Sequence, residues 1–531
     1  MRSPRLSILI TAILLSAITA AATQSTQIRP GANGDLEVRT INSAADQPVW
    51  PAPEGTPPPA AQRGGEILWY DTNHGNAVAE NVAVSGFGSR GIAGWWLNNK
   101  RVAFYEFDQG NVPVWTHSMV AGFQIPVDMS LQGAYSTATG RGDPIYVFEP
   151  SGPPPLYSDG YTAPLVGYEC SISQTGNTYA AAGGNPAGGA GEVRVYDGAG
   201  ALRFVRDLPA PPEGLMVSPD GELVAANVRA FVKVWSATTG ALRDSVPIPN
   251  ETQATAVLSG DGEYLVTGGF DRTVRVYRWN GTEYAPHWTY PIPATTWIVA
   301  LAISADGSTV AAGTWTNSNG GKLVLFSTDS ATPLWTDATF GDEVHAVALS
   351  ADGSAIVAAS YGRYGGTFGN IISVYDRGSA TPTFGVADDA IANIGSAMAI
   401  DIGEDGAYVF AGGKRVHARE FGNGGWTMAI RLTDPAGIQE AVSLRGAALS
   451  AWPNPFRGQV TLGFRGPTAA GQRQVLAFHP DGRLVGRLPI APGQSSAVWN
   501  GCDEGGRPLP AGVYLLAPSG CREALRVIKT K

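Results

Sequence analysis

The sequence predicts an all-β protein made of many short strands that are joined by tight turns. Glycine supplies 68 of the 531 residues and proline supplies 38, and both residue types are typical of turns. Apolar residues make up 44% of the chain and charged residues 15%, a composition that excludes a generally disordered protein. A chain of this length exceeds one ordinary hydrophobic core, so we expect several domains or a repeat array with an added domain.

A repeated turn divides the middle of the chain into units of similar length. Each turn follows a short apolar strand, ends in glycine and leads into a strand of small and apolar residues. The six clearest turn glycines, spaced 41 to 53 residues apart, are Gly176, Gly221, Gly262, Gly307, Gly353 and Gly406. Aspartate precedes five of them, and Asp-Gly closes a tight hairpin because it tolerates positive φ. Turn geometry explains these aspartates, so we interpret them as hairpin residues rather than as a ring of cation ligands.

Two further strands complete each unit. A third strand runs through β-branched residues to an aromatic residue, as in EVRVYD at 192–197 and TVRVYR at 273–278. A fourth strand often carries tryptophan, and we place Trp288, Trp335 and Trp426 there. Four strands in a period of roughly 40 to 45 residues are typical of a β-propeller blade. Two weaker units, 82–120 and 125–160, precede the clear ones, so the sequence leaves seven or eight blades open.

The repeats resemble those of the WD40 and the broader quinoprotein-like propeller families. The resemblance rests on the Ser-x-Asp-Gly turns and the V-x-V-[YW] third strands, and it covers about residues 67–432. It implies a ring of blades whose loops carry any function. The repeated Gly-His and Trp-Asp dipeptides of WD40 proteins are missing from the sequence, so their hydrogen-bond network is not implied.

The chain changes character after a second linker at residues 433–450. Residues 451–531 form short alternating runs broken by Asp-Gly, Gly-Gly and proline turns, which predict a small Ig-like β-sandwich. This segment resembles the C-terminal sorting domain of the type IX secretion system, which is related to the Ig-like domain of flagellar hook-capping proteins. The matching residues are Pro453, Asn454, Pro455, Phe456, Asp481, Gly482, Arg483, Trp499, Asn500, Gly501, Gly512, Val513 and Tyr514. The resemblance implies that outer-membrane secretion machinery is a partner of this domain.

The start of the chain predicts a signal peptide over residues 1–22. Arg2 and Arg5 precede an apolar run from Leu6 to Ile18, and small residues follow. That run is short for a membrane span, and the later sequence offers no other, so we expect no span once the signal is removed. A Pro-rich linker is predicted at residues 23–66. With the sorting resemblance, these features predict a protein that passes through the periplasm and is secreted or held at the bacterial cell surface.

Three cysteines occur, and their spacing fits no zinc motif. Cys502 and Cys521 lie near each other in sequence and could form a disulfide in an oxidising compartment. Cys170 would then remain as a small buried apolar residue.

The sequence indicates binding rather than catalysis, with no cofactor and no metal site. The net charge of −9 disfavours a nucleic-acid partner, and no nucleophile or metal motif appears. Six histidines occur singly, and His345 is expected to be a satisfied core or interface residue. We predict a secreted or cell-surface binding or scaffold protein for a protein or glycan ligand, with loop contacts from Trp315, Tyr361 and Tyr364. The alternative is an extracellular polymer-degrading hydrolase or lyase, which carboxylates clustered at one mouth of the propeller channel would favour.

Overall fold

The computed structural model describes two strands near the start of the chain, most of residues 63–433 and most of residues 449–530. The two early strands are β1 (Ser25–Pro30) and β2 (Leu36–Ile41), which pair as an antiparallel hairpin inside the segment predicted as a linker. The gaps within the two longer ranges are residues 73–76, 87, 98, 121–123, 132, 249–254, 294–295, 317–319, 364–368, 388–394, 421–423, 465–473, 479–483, 490–495, 504–505 and 519–524. The predicted signal peptide therefore lies outside the described residues.

Eight antiparallel sheets of four strands follow, and we number them as blades 1 to 8. Blade 1 holds β4 (Val78–Val84), β5 (Arg90–Trp96), β6 (Arg101–Glu106) and β7 (Trp115–Ser118), with a short 3-10 helix at Phe107–Gln109; blade 2 holds β8 (Val127–Met129), β9 (Ser136–Gly140), β10 (Asp143–Phe148) and β11 (Tyr157–Asp159); blade 3 holds β12 (Val166–Ile172), β13 (Thr178–Gly184), β14 (Gly191–Asp197) and β15 (Leu202–Leu208). Blade 4 holds β16 (Gly214–Val217), β17 (Leu223–Val228), β18 (Phe231–Ser236) and β19 (Leu242–Pro247); blade 5 holds β20 (Thr255–Leu258), β21 (Tyr264–Gly268), β22 (Thr273–Trp279) and β23 (Tyr284–Pro291); blade 6 holds β24 (Thr296–Ile303), β25 (Thr309–Thr316), β26 (Leu323–Ser327) and β27 (Pro333–Asp337). Blade 7 holds β28 (Val344–Leu349), β29 (Ala355–Ser360), β30 (Asn370–Asp376) and β31 (Phe384–Ala387), and blade 8 holds β32 (Ser396–Ile402), β33 (Tyr408–Lys414), β34 (Gly425–Thr433) and β3 (Gly64–Asp71).

The eight blades close into a ring, which confirms a propeller and decides for eight blades. The first strand of each blade packs against the first strand of the next, and β32 of blade 8 contacts β4 of blade 1. Strand β3, which precedes blade 1 in the chain, pairs with β34 as the outermost strand of blade 8, from Gly64 opposite Thr433 to Asp71 opposite Thr427. The placement of Trp426 on a fourth strand was therefore wrong, because β3 takes that position and Trp426 lies on the third strand.

The repeated turn between the first and second strands occurs in all eight blades. Its glycine has positive φ in each, including Gly88 and Gly133 of the two weaker units, which lack the aspartate. In blade 5 the hydroxyl of Ser259 donates to Asp261 at 2.8 Å and accepts the amide of Tyr264 at 2.9 Å. Blades 4, 6 and 7 repeat both bonds. The turn aspartates therefore hold hairpins, as their sequence context predicted.

Backbone hydrogen bonds link neighbouring turns around one end of the ring, which we call the turn face. The Gln174 amide of blade 3, for example, donates to the Pro219 carbonyl of blade 4 at 3.0 Å. Pro219 has no N–H and cannot donate such a bond towards blade 5. In each bond of this kind, 2.8 to 3.2 Å long, the backbone N–H of the first residue donates to the carbonyl of the second: Leu131 to Gln174, Gln174 to Pro219, Gly260 to Ala305, Asp306 to Ala351, Ala351 to Glu404 and Asp405 to Gly86. The opposite end, where second strands end and third strands begin, is the loop face.

Hydrophobic cores lie between adjacent blades. The second strand of blade 3 contributes Ala180 and Ala182, and the third strands contribute buried aromatic side chains such as Tyr196 and Tyr375. Tryptophans on outer strands join neighbouring blades, since Trp288 donates to the Thr328 carbonyl at 2.6 Å and Trp335 to the Arg377 carbonyl at 2.8 Å.

The C-terminal segment forms two sheets that share one core. Strands β35 (Leu449–Trp452), β36 (Val460–Phe464) and β39 (Ser496–Trp499) form the first sheet. Strands β38 (Leu484–Pro489), β37 (Gln474–Phe478), β40 (Gly512–Pro518) and β41 (Leu525–Lys529) form the second. Phe456, Trp499 and Tyr514 of the predicted motif lie in this core, and the Asn454 side chain accepts the Ile528 amide at 2.6 Å. Asp481, Gly482 and Arg483 lie outside the described residues.

Two further expectations meet the structure in part. Cys170 is buried, and Cys502 lies half-buried. Cys521 lies outside the described residues, so the bridge between Cys502 and Cys521 stays a prediction. Within the part of the chain that the structure describes, no helix is long and apolar enough to cross a membrane.

Candidate functional site

The first strands of five blades carry a β-bulge near the loop face. In each, one residue is left without a partner in the second strand, and that residue is half-buried. A bulge of this kind re-aims a side chain and is common beside functional sites. The five bulged residues, at equivalent or neighbouring positions of the inner strands, are Glu80, Tyr168, Val299, His345 and Met398.

His345 of blade 7 is held between a carboxylate and a phenol. Its Nδ1 lies 2.7 Å from Oε1 of Glu343 and 2.9 Å from the Tyr361 hydroxyl, and the Tyr361 ring stacks on the imidazole at 4.8 Å. Burial lowers the pKa of His345, but the carboxylates of Glu343 and Glu80 outweigh it and raise the pKa overall. Among the described residues, Nε2 of His345 has no hydrogen-bond partner, so this nitrogen can meet a ligand.

Glu80, the bulged residue of blade 1, is near enough to His345 for the two charges to interact, although blade 8 lies between their blades. Burial raises its pKa to about 7, against the opposing charges of His345 and Lys414 and a hydrogen bond from Trp96. Glu80 is therefore close to half-protonated at neutral pH, so its carboxyl can both donate and accept hydrogen bonds. On the inner strand of blade 3, burial raises the pKa of a further carboxyl, Glu169, to about 8.

A second polar group joins blades 6, 7 and 8 beside this space. Arg419 donates to Asp342 at 2.6 Å and to the Thr316 carbonyl at 3.3 Å. Burial raises the pKa of Asp342 to about 6, although Arg419 opposes the rise. Burial and the Arg419 charge lower the pKa of His417 to about 4, which keeps that imidazole neutral. His417 lies 3.5 Å from Asp342 and edge-on to Tyr361, so the two polar groups form one surface.

Three aromatic side chains gather beside the polar surface on blades 5 and 6. The Trp297 and Trp315 rings lie 4.9 Å apart, and the Phe270 ring lies 6.0 Å from Trp297 and 6.3 Å from Trp315. All three are half-buried; Trp297 and Trp315 lie at the loop end of their strands, and Phe270 lies in the turn after β21. Trp315 directly precedes Thr316, whose carbonyl accepts from Arg419 of the polar surface.

The predicted contact residues fall partly on this site. Trp315 belongs to the aromatic group and Tyr361 to the polar group, whereas Tyr364 lies outside the described residues. Sequence reasoning missed Glu80, Glu343 and Phe270, because bulges and interactions between separate blades leave no local pattern. His345 is satisfied at Nδ1, as expected, but it lies in the channel mouth. Among the described residues, no group of three or more metal-ligating side chains meets.

The other end of the channel is crossed by a polar contact. The side-chain amide of Gln174 in blade 3 donates a hydrogen bond to the Glu404 carboxyl in blade 8 at 2.5 Å. Blades 1 and 2 lie between these two blades in the ring. Burial raises the pKa of Glu404 to about 8, the Gln174 bond opposes the rise, and Asp401 and Asp405 add to it. Burial also raises the pKa of Asp401 to about 7, although the Val84 amide of blade 1 donates to it at 2.8 Å.

Comparison with known protein families finds a match to one blade of the propeller. Residues 251–278 match the family described as "WD domain, G-beta repeat". This stretch spans the first three strands of blade 5, and together with the repeated four-stranded sheets it supports a β-propeller. A search of curated proteins finds no significant match to the chain.

The raised pKa of Glu404 predicts that the propeller is more stable in mild acid than in mild base. The carboxyl ordinarily titrates near 4.5 and in the folded protein near 8. Its stabilising, protonated form is therefore complete below the lower value and is lost as the pH rises through the upper one. We expect the free energy of unfolding to fall between pH 5.5 and pH 8.5, and to fall less in Glu404→Gln, measured by urea unfolding. The exposed Glu222→Gln is the control, and an equal fall in all three proteins would contradict the assignment.

Proposed function

We propose that this protein is an exported β-propeller that binds a saccharide at the loop-face mouth of its channel. The observation that carries the proposal is the group of Phe270, Trp297 and Trp315 beside the hydrogen-bonding surface around His345. A binding or scaffold role agrees with the propeller fold, in which loops at one end of a rigid ring carry function.

The aromatic group supplies the apolar half of saccharide recognition. A sugar ring has C–H faces that pack on flat aromatic rings, and large aromatic side chains dominate binding surfaces. Because Trp297 and Trp315 come from paired positions of adjacent strands, their rings are fixed relative to each other. Such a rigid platform loses little conformational freedom when the ligand arrives.

The polar surface supplies the other half. Saccharide hydroxyls both donate and accept, so they need side chains that do the same. Glu80, whose pKa is about 7, and Nε2 of His345, which has no hydrogen-bond partner among the described residues, fulfil this need. A purely apolar peptide would leave these groups unpaired, at a cost in affinity. The contact between Gln174 and Glu404 crosses the turn-face end, so entry from the loop face is favoured.

The proposed route of export rests on both ends of the chain. Residues 1–22 have the three parts of a signal peptide, and the C-terminal residues resemble a type IX sorting domain. In support, the resembling residues Phe456, Trp499 and Tyr514 pack together, with ring centroids 5.5 Å and 5.4 Å apart. Secretion or display at the cell surface would follow from this route.

Removing one ring of the aromatic group should weaken saccharide binding. We expect Trp315→Ala to lower affinity by about tenfold or more, because truncating a central aromatic contact commonly costs over 1 kcal/mol. A glycan array would find the ligand and titration calorimetry would measure the change. Trp452→Ala, a tryptophan of the C-terminal domain that is 37% exposed, should bind as wild type. If a folded Trp315→Ala keeps full affinity, the binding site lies elsewhere. If the protein binds peptides and no glycan, the ligand is a peptide and the saccharide proposal is refuted.

Removing the C-terminal domain should stop export at the periplasm. We expect a chain that lacks residues 451–531, expressed in a bacterium with a type IX system, to accumulate there. Cell fractionation and immunoblotting would locate it, and the full-length chain carrying Arg457→Ala would serve as the exported control. Release of the truncated chain into the medium at the wild-type level would refute the sorting role.

A second candidate function, hydrolysis of the bound saccharide, is favoured by one observation. Carboxylates and a histidine do cluster at one mouth of the channel, and Glu80 with a pKa of about 7 suits proton transfer near neutral pH. In hydrolysis, one group would take a proton from water as it attacks, and the other would protonate the leaving oxygen.

Turnover separates the two candidates. With the glycan that binds, we expect an active wild type to release products, and Glu80→Gln to lose roughly a hundredfold or more in kcat. Glu222→Gln, which changes an exposed carboxyl in the turn of blade 4, is the control, and mass spectrometry would detect the products. Tight binding without products would leave the binding function alone.

A further inference from the structure

An apolar pair lies on the outer face of the C-terminal four-stranded sheet. Strands β40 and β41 pair antiparallel with Val513 opposite Ile528. Their neighbours Tyr514 and Val527 lie in the core of this domain, and side chains alternate along a strand. Val513 and Ile528 therefore face away from that core, yet Ile528 is only 4% exposed.

The propeller covers this pair. Ala305 and Ala351 form one apolar cluster with Val513 and Ile528. Each alanine is the second residue of the repeated turn, in blades 6 and 7, and the Asp306 amide joins the two turns by donating to the Ala351 carbonyl at 2.9 Å. Ala351 is 1% exposed, as expected for a side chain that a second surface shields.

The position of the contact follows from which residues fill the second place of each turn. Blades 3 and 8 carry Gln174 and Glu404 there, whose side chains cross the channel end, and blade 4 carries Pro219. Alanine fills this place in both blade 6 and blade 7, which are adjacent. Two apolar side chains therefore meet the apolar pair on the C-terminal sheet.

We propose that the turn face at blades 6 and 7 is the docking surface for this chain's own C-terminal domain. The contact is small, but residues 434–448 tether its two sides, and a tether of that length keeps the effective concentration high. The domain is therefore held against the ring, and its last strand is sheltered. This proposal is independent of the saccharide site and of the export route.

Docking assigns the two ends of the ring to different tasks. The turn face is occupied by the C-terminal domain, whereas the candidate site on the loop face stays open. Loss of the C-terminal domain would uncover Ala305 and Ala351, and any partner that binds the outer face of β41 would have to displace the propeller. The burial of Ile528, whose side chain lies on the outer face of β41, agrees with a sheltered last strand.

Charged substitutions in the contact provide the test. We expect Val513→Asp or Ala305→Asp in the full chain to raise the undocked fraction by on the order of tenfold or more, because an unpaired carboxylate is not tolerated in an apolar contact. Small-angle scattering would show a larger maximum dimension and a broader distance distribution than in the wild type. Circular dichroism would verify that each variant is folded.

Matched controls keep the result specific. Val498→Asp places a charge on a residue of β39 that is 54% exposed, and Pro219→Asp changes the same turn position in blade 4. Both should scatter as the wild type does. A wild type that already scatters as two loosely tethered bodies would overturn the proposal, as would a folded Val513→Asp that is indistinguishable from Val498→Asp. If Ala305→Asp fails to fold, Val513→Asp alone decides.

Discussion

The hydroxyl of the turn serine is the contact on which the ring depends. Each such hydroxyl in blades 4 to 7 donates to an aspartate and accepts from a backbone amide, so it stabilises the turn between the first two strands of its blade. These serines are fully buried, where a lost hydrogen bond is costly. Because the turns are stabilised in this way, their backbones form hydrogen bonds with the turns of neighbouring blades, and the inner strands are arranged in a ring.

Closure of that circle depends on the start of the propeller rather than on its end. Strand β3 completes blade 8, and Arg63 just before it pairs with Asp376 of blade 7 at 3.1 Å. The turn face and the loop face of the closed ring differ in their chemistry. The turn face is joined by backbone bonds and the Gln174–Glu404 contact, whereas the loop face carries bulges that bring Glu80 and His345 into one space.

Much of the fold could be predicted from local sequence because its elements are local. The positive φ of Gly262 or Gly307 follows from an Asp-Gly turn, and the buried Tyr196 and Tyr375 follow from aromatic residues on third strands. Blades 1 and 2 were weak in the sequence because their turns at Gly88 and Gly133 lack aspartate, although the geometry is the same. Trp426 was misplaced because its outer neighbour, β3, lies more than 350 residues earlier in the chain.

The candidate site likewise has features that local sequence predicts and features that only the folded structure shows. Residue order by itself established the repeat, the strand types, and the placement of Trp315 and Tyr361 at loop ends, since each depends on a few adjacent residues. The tertiary structure alone decided that there are eight blades, that the charges of Glu80 and His345 interact, and that Ile528 packs with Ala351. Each of these features joins residues that lie more than 150 positions apart in the chain, so no short stretch of sequence contains it.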